Sequence, residues 1–118
     1  MSRHIGEQTE QLASEYLRRN GLKMLTRNFR SPRGELDMVM EDGETLVFVE
    51  VRYRRNSQFG SGAESVDRHK QQRLISSAAY YLQKNHQYSN RPTRFDVVSI
   101  SMEANKPAID WIQDAFIS

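Results

Sequence analysis

The sequence predicts an α/β domain, and three observations carry that prediction. The run Leu46-Val47-Phe48-Val49-Glu50-Val51 is strongly β-prone and largely apolar on both faces, as a central strand covered on each side requires. Amphipathic segments at about 5–20 and from Ser65 onward supply helices for the covering layers. Shorter β-prone stretches before and after the central run provide its neighbours. The 118 residues make one domain spanning 1–118, long enough to bury a layered core without disulfides.

Taken in order, Ile5, Leu12, Ala13, Tyr16 and Leu17 fall on one helical face, and Asn20-Gly21 supplies a stop. Leu22 to Arg30 is the first expected strand, closed by the turn Ser31-Pro32-Arg33-Gly34. Glu35 to Met40 and Thr45 to Tyr53 are the next two, joined by the hairpin signal Glu41-Asp42-Gly43-Glu44. A polar, glycine-containing loop runs from about Asn56 to Glu64. Ser65 is the expected N-cap of a second helix, with Asp67 in its first turn and Leu74, Ile75, Ala78, Ala79 and Leu82 on its apolar face. Arg94 to Ser101 is a fourth strand. The tail from Ala108 to Ile117 is too short to assign, and its Ile109, Trp111, Ile112 and Phe116 are expected to dock on the domain. The order is αβββαβ.

Composition narrows the function. The chain has no cysteine, which excludes thiol catalysis, thiolate metal sites and disulfides. The N-terminus lacks the apolar core of a signal peptide, and no apolar run approaches the ~20 residues that span a bilayer. A soluble cytoplasmic protein without a membrane role is expected. There is no phosphate-cradling glycine loop, nucleophile elbow or His-rich metal motif to suggest a small-molecule enzyme. The formal charge is +2, divided into +5 over residues 1–94 and −3 over 95–118. Arg52, Arg54 and Arg55, then Arg68, Lys70 and Arg73, gather positive charge mid-chain, a pattern that fits either a polyanion partner or an ordinary solvated surface.

The stretch that can carry chemistry is Gly34-Glu35-Leu36-Asp37 followed by Phe48-Val49-Glu50-Val51-Arg52. Side chains alternate along a strand, so Glu50 and Arg52 share a face. If the two strands form a hairpin, Asp37 and Glu50 lie near one another. A carboxylate inside the apolar Leu46–Val51 run is costly unless paired, hydrogen-bonded or bound to a cation. Two such carboxylates make a hard-oxygen site suited to Mg²⁺ or Mn²⁺. The alternative is an ion pair of Arg52 with Glu50 or Asp37 on a solvated face.

Asp37 followed by Glu50-Val51-Arg52 is similar to the two-part motif of the PD-(D/E)XK nuclease superfamily. Across nearly the whole chain the sequence resembles the bacterial YraN family, which is related to archaeal Holliday-junction resolvases. Gly6-Glu7, Asn28-Phe29-Arg30, Gly34-Glu35-Leu36-Asp37, Phe48-Val49-Glu50-Val51-Arg52, Lys70, Ala79-Tyr80-Tyr81-Leu82, Arg94-Phe95-Asp96-Val97-Val98 and Trp111-Ile112 carry the resemblance. It implies a restriction-endonuclease-like αβββαβ core with a central mixed sheet flanked by helices. It also implies Asp37 and Glu50 as ligands of Mg²⁺ or Mn²⁺, with the Val51 carbonyl as a third oxygen. A helix-1 glutamate completes related sites. Glu7 is in the matching Gly-Glu pair and is the favoured residue, while Glu10 lies one turn later on the same face. Resolvases of this fold act as homodimers, an expectation tied to a symmetric substrate.

Arg52 stands where the superfamily pattern has lysine. Arginine stays protonated, so it can grip a phosphate or balance the carboxylates but cannot serve as a general base. Arg68, His69, Lys70 and Arg73 occupy the first two turns of the second helix, where the macrodipole disfavours cations unless phosphate is near. Arg54, Arg55, Arg68, Lys70 and Arg73 are therefore the expected nucleic-acid contacts, with His69 beside them. Three readings follow: a metal-dependent endonuclease acting on structured DNA, a nucleic-acid-binding module with a degenerate site, or a protein-interaction domain docking through an exposed tail.

Overall fold

A computed structural model describes residues 3–54 and 66–117, with side chains from Gly6 onward. Helix α1 (Arg3–Arg19) leads into strands β1 (Lys23–Ser31), β2 (Gly34–Asp42) and β3 (Thr45–Arg54). Helix α2 (Arg68–Lys84) and a short 3-10 turn at His86–Tyr88 precede β4 (Thr93–Glu103) and β5 (Lys106–Phe116). The expected αβββαβ order is present, extended by one strand. The sheet runs β1-β2-β3-β4-β5; β3 and β4 are parallel and every other neighbouring pair is antiparallel.

Alternation along β3 explains why the sheet is covered twice. Leu46, Phe48 and the β4 residues Phe95 and Val97 pack with Leu74, Ala78 and Tyr81 of α2. Val47, Val49, Val98 and Ile100 pack with Ala13 and Leu17 of α1. Each of the Val, Leu, Ile and Phe side chains among them contributes roughly 1.5–3 kcal/mol by leaving water. Helix α1 stops as expected: Gly21 adopts φ +94°, and the N–H groups of Gly21 and Leu22 donate to Arg18 and Leu17 carbonyls, a Schellman closure. Gly43 takes the left-handed first position, φ +61°, of the β2–β3 turn.

Three expectations change. The α2 N-cap is Asp67, whose side chain accepts from the Lys70 N–H at 2.8 Å; Ser65 lies outside the described residues. Tyr81, not Ala79, completes the helix's buried face, and Ala79 is exposed. The tail is a full strand, β5. Ala104 and Asn105, φ 50° and 64°, make a two-residue turn of the kind that suits a twisted hairpin.

Beyond that turn Asp96 anchors the end of the chain. Its fully buried carboxylate accepts from Arg94 Nε (3.0 Å), Trp111 Nε1 (2.9 Å) and the Asp114 N–H (2.9 Å). Asp114 is left-handed at φ 51°, beside the register shift opposite Phe95 and Val97. Among the described residues no helix is long and apolar enough to cross a membrane.

Candidate metal centre

The site forms where the sheet splits. The β2–β3 ladder runs from Asp42↔Thr45 to Met38↔Val49 and ends there. On its other side, β2 pairs with β1 at Arg27↔Met38 and Phe29↔Leu36, skipping the step between them, where Asn28 is left-handed at φ 54°. Asp37 sits in this gap. Its Oδ2 accepts the Val51 N–H at 2.8 Å, so a carboxylate occupies the place where a backbone carbonyl would continue the ladder.

Glu50 shares the α2-facing side of β3 with Phe48, and its side chain is 8% exposed. The Asp37 and Glu50 carboxyls are within hydrogen-bonding reach of one another. Burial, that contact and the Glu50 charge together push Asp37 far above the usual carboxylate range, against the opposing pull of the Val51 N–H. Two carboxyls this close, Glu50 buried and Asp37 half-buried, do not both ionise readily without added positive charge. An oxygen-only donor set that calls for a cation fits Mg²⁺ or Mn²⁺.

Positive charge already reaches Glu50 from two directions. Lys70 Nζ, from the first turn of α2, is 3.1 Å from Glu50 Oε2, and Arg52 Nη1 is 3.9 Å from the same atom. Lys70 was expected only as a nucleic-acid contact; the Asp67 cap on its N–H fixes the turn that aims it at β3.

Two cavities meet at the carboxylate pair. One, of about 170 Å³, is lined by Gly6, Thr9, Glu10, Asp37, Glu50 and Lys70, bringing α1 to the site. Glu10 is half-buried there; burial raises its pKa, Arg27 and Asn28 oppose the rise, and the Glu35 and Glu50 charges add to it. Glu7 is exposed and does not line this cavity. Among the described residues no three carboxylate or imidazole groups converge tightly enough to hold an ion between them; Glu10 approaches the pair from the helix side. The other cavity, of about 540 Å³, opens past Asp37 and Glu50 to a rim bearing Arg30, Glu35, Lys70 and Arg73.

Of the remaining expected contacts, Arg68 and His69 are exposed at the start of α2 and Arg54 is half-buried on β3. Arg55 lies outside the described residues. Arg30 and Glu35, which share this rim, carried the family resemblance in the sequence without being assigned a role. Trp111 and Phe116 are half-buried rather than exposed: the Phe116 ring stacks on Phe95 at 4.8 Å. Trp111 and Phe116 are therefore not available as the exposed docking residues that the protein-interaction reading would use.

The chain is 49% identical over 114 residues to a UPF0102 protein of Nitrosococcus oceani, covering 97% of this chain and 92% of that one. To a UPF0102 protein of Pseudomonas aeruginosa it is 50% identical over 117 residues, covering 98% and 94%. Among solved structures it is similar to SfsA of Pyrococcus furiosus in complex with Ca²⁺, with a TM-score of 0.38 and 15% identity. That match covers 94% of this chain, which spans 63% of the length of that one. The model of uncharacterised protein family UPF0102 matches residues 9–100, and the chain belongs to that family, the YraN family its motifs indicated.

Proposed function

We propose that this chain is a metal-dependent endonuclease that hydrolyses phosphodiester bonds in structured or branched DNA. The observation that supports this reading best is the Asp37–Glu50 pair at the split between β2 and β3, crowded, largely shielded from water and faced by Lys70. Asp37, Glu50 and the Val51 carbonyl would hold Mg²⁺ or Mn²⁺, and of the two helix glutamates this reading takes Glu10, because it lines the same cavity. The ion, when bound, supplies Lewis-acid charge to a phosphate oxygen and acidifies a bound water.

The chain's own residues do the rest. The Val51 N–H fixes the Asp37 carboxylate in one orientation. Lys70 brings a primary ammonium to Glu50 from α2, a group of the type the superfamily motif places two residues after the glutamate, where this chain has Arg52. Together the two cations face charge developing on a phosphate. Arg73 at the rim, with Arg54 and Arg68, would meet flanking phosphates.

Incubation with Mg²⁺ or Mn²⁺ and a panel of flaps, junctions, single strands, duplexes and RNA tests this. Cleavage abolished by Asp37→Ala and Glu50→Ala is expected; a wild type that cuts nothing on the panel contradicts it.

Arg52 favours a second reading, a nucleic-acid-binding module with little activity. Its guanidinium beside Glu50 keeps a permanent positive charge where a removable one belongs. Binding that weakens steeply with salt but is indifferent to divalent metal would support this alternative.

A further inference from the structure

The large cavity does not end at its rim. Through Ser31 it continues into a groove of about 280 Å³ between the β1–β2 turn and α2, lined by Pro32 and Arg33 from the turn and by Ser76, Ala79, Tyr80 and Gln83 from the helix. Arg73, Ser76, Tyr80 and Gln83 recur at helical spacing, so they form one stripe along about 15 Å of α2. The stripe begins at the cavity over Asp37 and Glu50, which Arg73 also lines.

The walls are fixed. Ser31 Oγ and Ser77 Oγ are hydrogen-bonded at 2.8 Å, and a Cβ on Gly34 would stand 3.2 Å from Ser77 Oγ, so the turn meets the helix at close quarters. Lys84 Nζ stands 5.2 Å over the Tyr80 ring, adding a cation at the far end. Arg30 guards the entrance from β1. Among the described residues no carboxylate lines this groove, whereas Asp37 and Glu50 form the floor of the cavity that feeds it.

We propose that this groove is a phosphodiester-backbone subsite, carrying the strand that runs from the carboxylate pair across the β1–β2 turn. The proposal rests on the nucleic-acid reading above and deepens it. Arg30, Arg33 and Arg73 grip successive phosphates, and the Ser76 hydroxyl and Gln83 amide donate to the sugar–phosphate chain. Phosphate contacts of this kind position a substrate without reading its sequence. The path adds contacts at the β1–β2 turn and along α2 to those at Arg54 and Arg68.

The test is fluorescence anisotropy of the full chain against a labelled DNA duplex carrying a single-stranded arm, over a series of salt concentrations. The paired variant Arg30→Ala/Arg33→Ala alters two exposed side chains, and Arg18→Ala/Arg19→Ala at the end of α1 is the charge-matched control. Removing two phosphate contacts lowers the slope of log affinity against log salt by roughly 1.4–1.8, with about tenfold or greater loss of affinity at fixed salt. The control is expected to keep the wild-type slope. A groove variant with the wild-type affinity and slope overturns the subsite and leaves the parent reading standing, as does a control that falls equally. A wild type that binds no such DNA overturns both.

Discussion

Lys70 Nζ reaches from the first turn of α2 to within 3.1 Å of Glu50 Oε2 on β3, joining the helix to the buried member of the carboxylate pair. Arg52 stands farther away, at 3.9 Å, so the nearer cation on Glu50 comes from a different element than the linear motif suggests.

If Lys70 balances Glu50, its ammonium opposes a second cation there. Lys70→Met is expected to tighten Mn²⁺ binding by roughly threefold to tenfold, a modest factor because the lysine is partly solvated. Cleavage by the same variant falls by about a hundredfold or more, from loss of charge facing the phosphate. Calorimetry and a cleavage assay read the two effects separately, and looser metal binding would count against this role for Lys70.

Arg52→Lys separates the two functional readings. With Lys70 already supplying an amine, cleavage by this variant stays within about tenfold of wild type. If the natural site is instead degenerate because of Arg52, the variant turns an inactive protein into a nuclease. Single-turnover cleavage on the best substrate decides.

The raised Asp37 pKa sets a pH dependence for the metal-free protein. The folded state holds a proton that the unfolded chain releases near the ordinary aspartate value, so folded Asp37 binds protons more tightly. Its contribution is complete below the unfolded pKa and is lost as pH rises through the folded one. Wild-type Tm therefore falls between about pH 5 and pH 9 relative to Asp37→Asn, which mimics the protonated side chain. A difference in Tm that stays flat across that range contradicts the crowded pair.

Asp96 predicts stability without function. Asp96→Ala leaves Arg94 without its buried partner and frees the Trp111 and Asp114 N–H groups, at a cost of about 3–5 kcal/mol. In a domain of this size Tm should fall by roughly 10–20 °C. Metal affinity measured well below the lowered Tm stays unchanged, since Asp96 lines neither cavity at the site.

Sequence pattern carried some of this architecture and missed the rest for identifiable reasons. The Leu46–Val51 run announced a strand buried on both faces, and the Asp-Gly hairpin signal brought Asp37 near Glu50, just past the last β2–β3 pair. The β5 strand was hidden because its turn uses Ala104-Asn105 without glycine, and because left-handed Asp114 breaks the alternation. Ile109 and Trp111 face α1, while Ile112 and Phe116 face α2. Glu7 and Glu10 are a turn apart and indistinguishable by helical phase; how far α1 extends over β3 brings Glu10 to the cavity. The Lys70–Glu50 contact spans two elements brought together by the crossover, which no local pattern encodes.

Calorimetric titration of Mn²⁺ into the wild type and Glu50→Gln tests the central claim most directly. The account predicts binding to the wild type that weakens by at least tenfold in the variant, because glutamine keeps the volume of Glu50 but not its charge. Equal heats for the two proteins, or no binding to the wild type, would contradict a metal centre at Asp37 and Glu50.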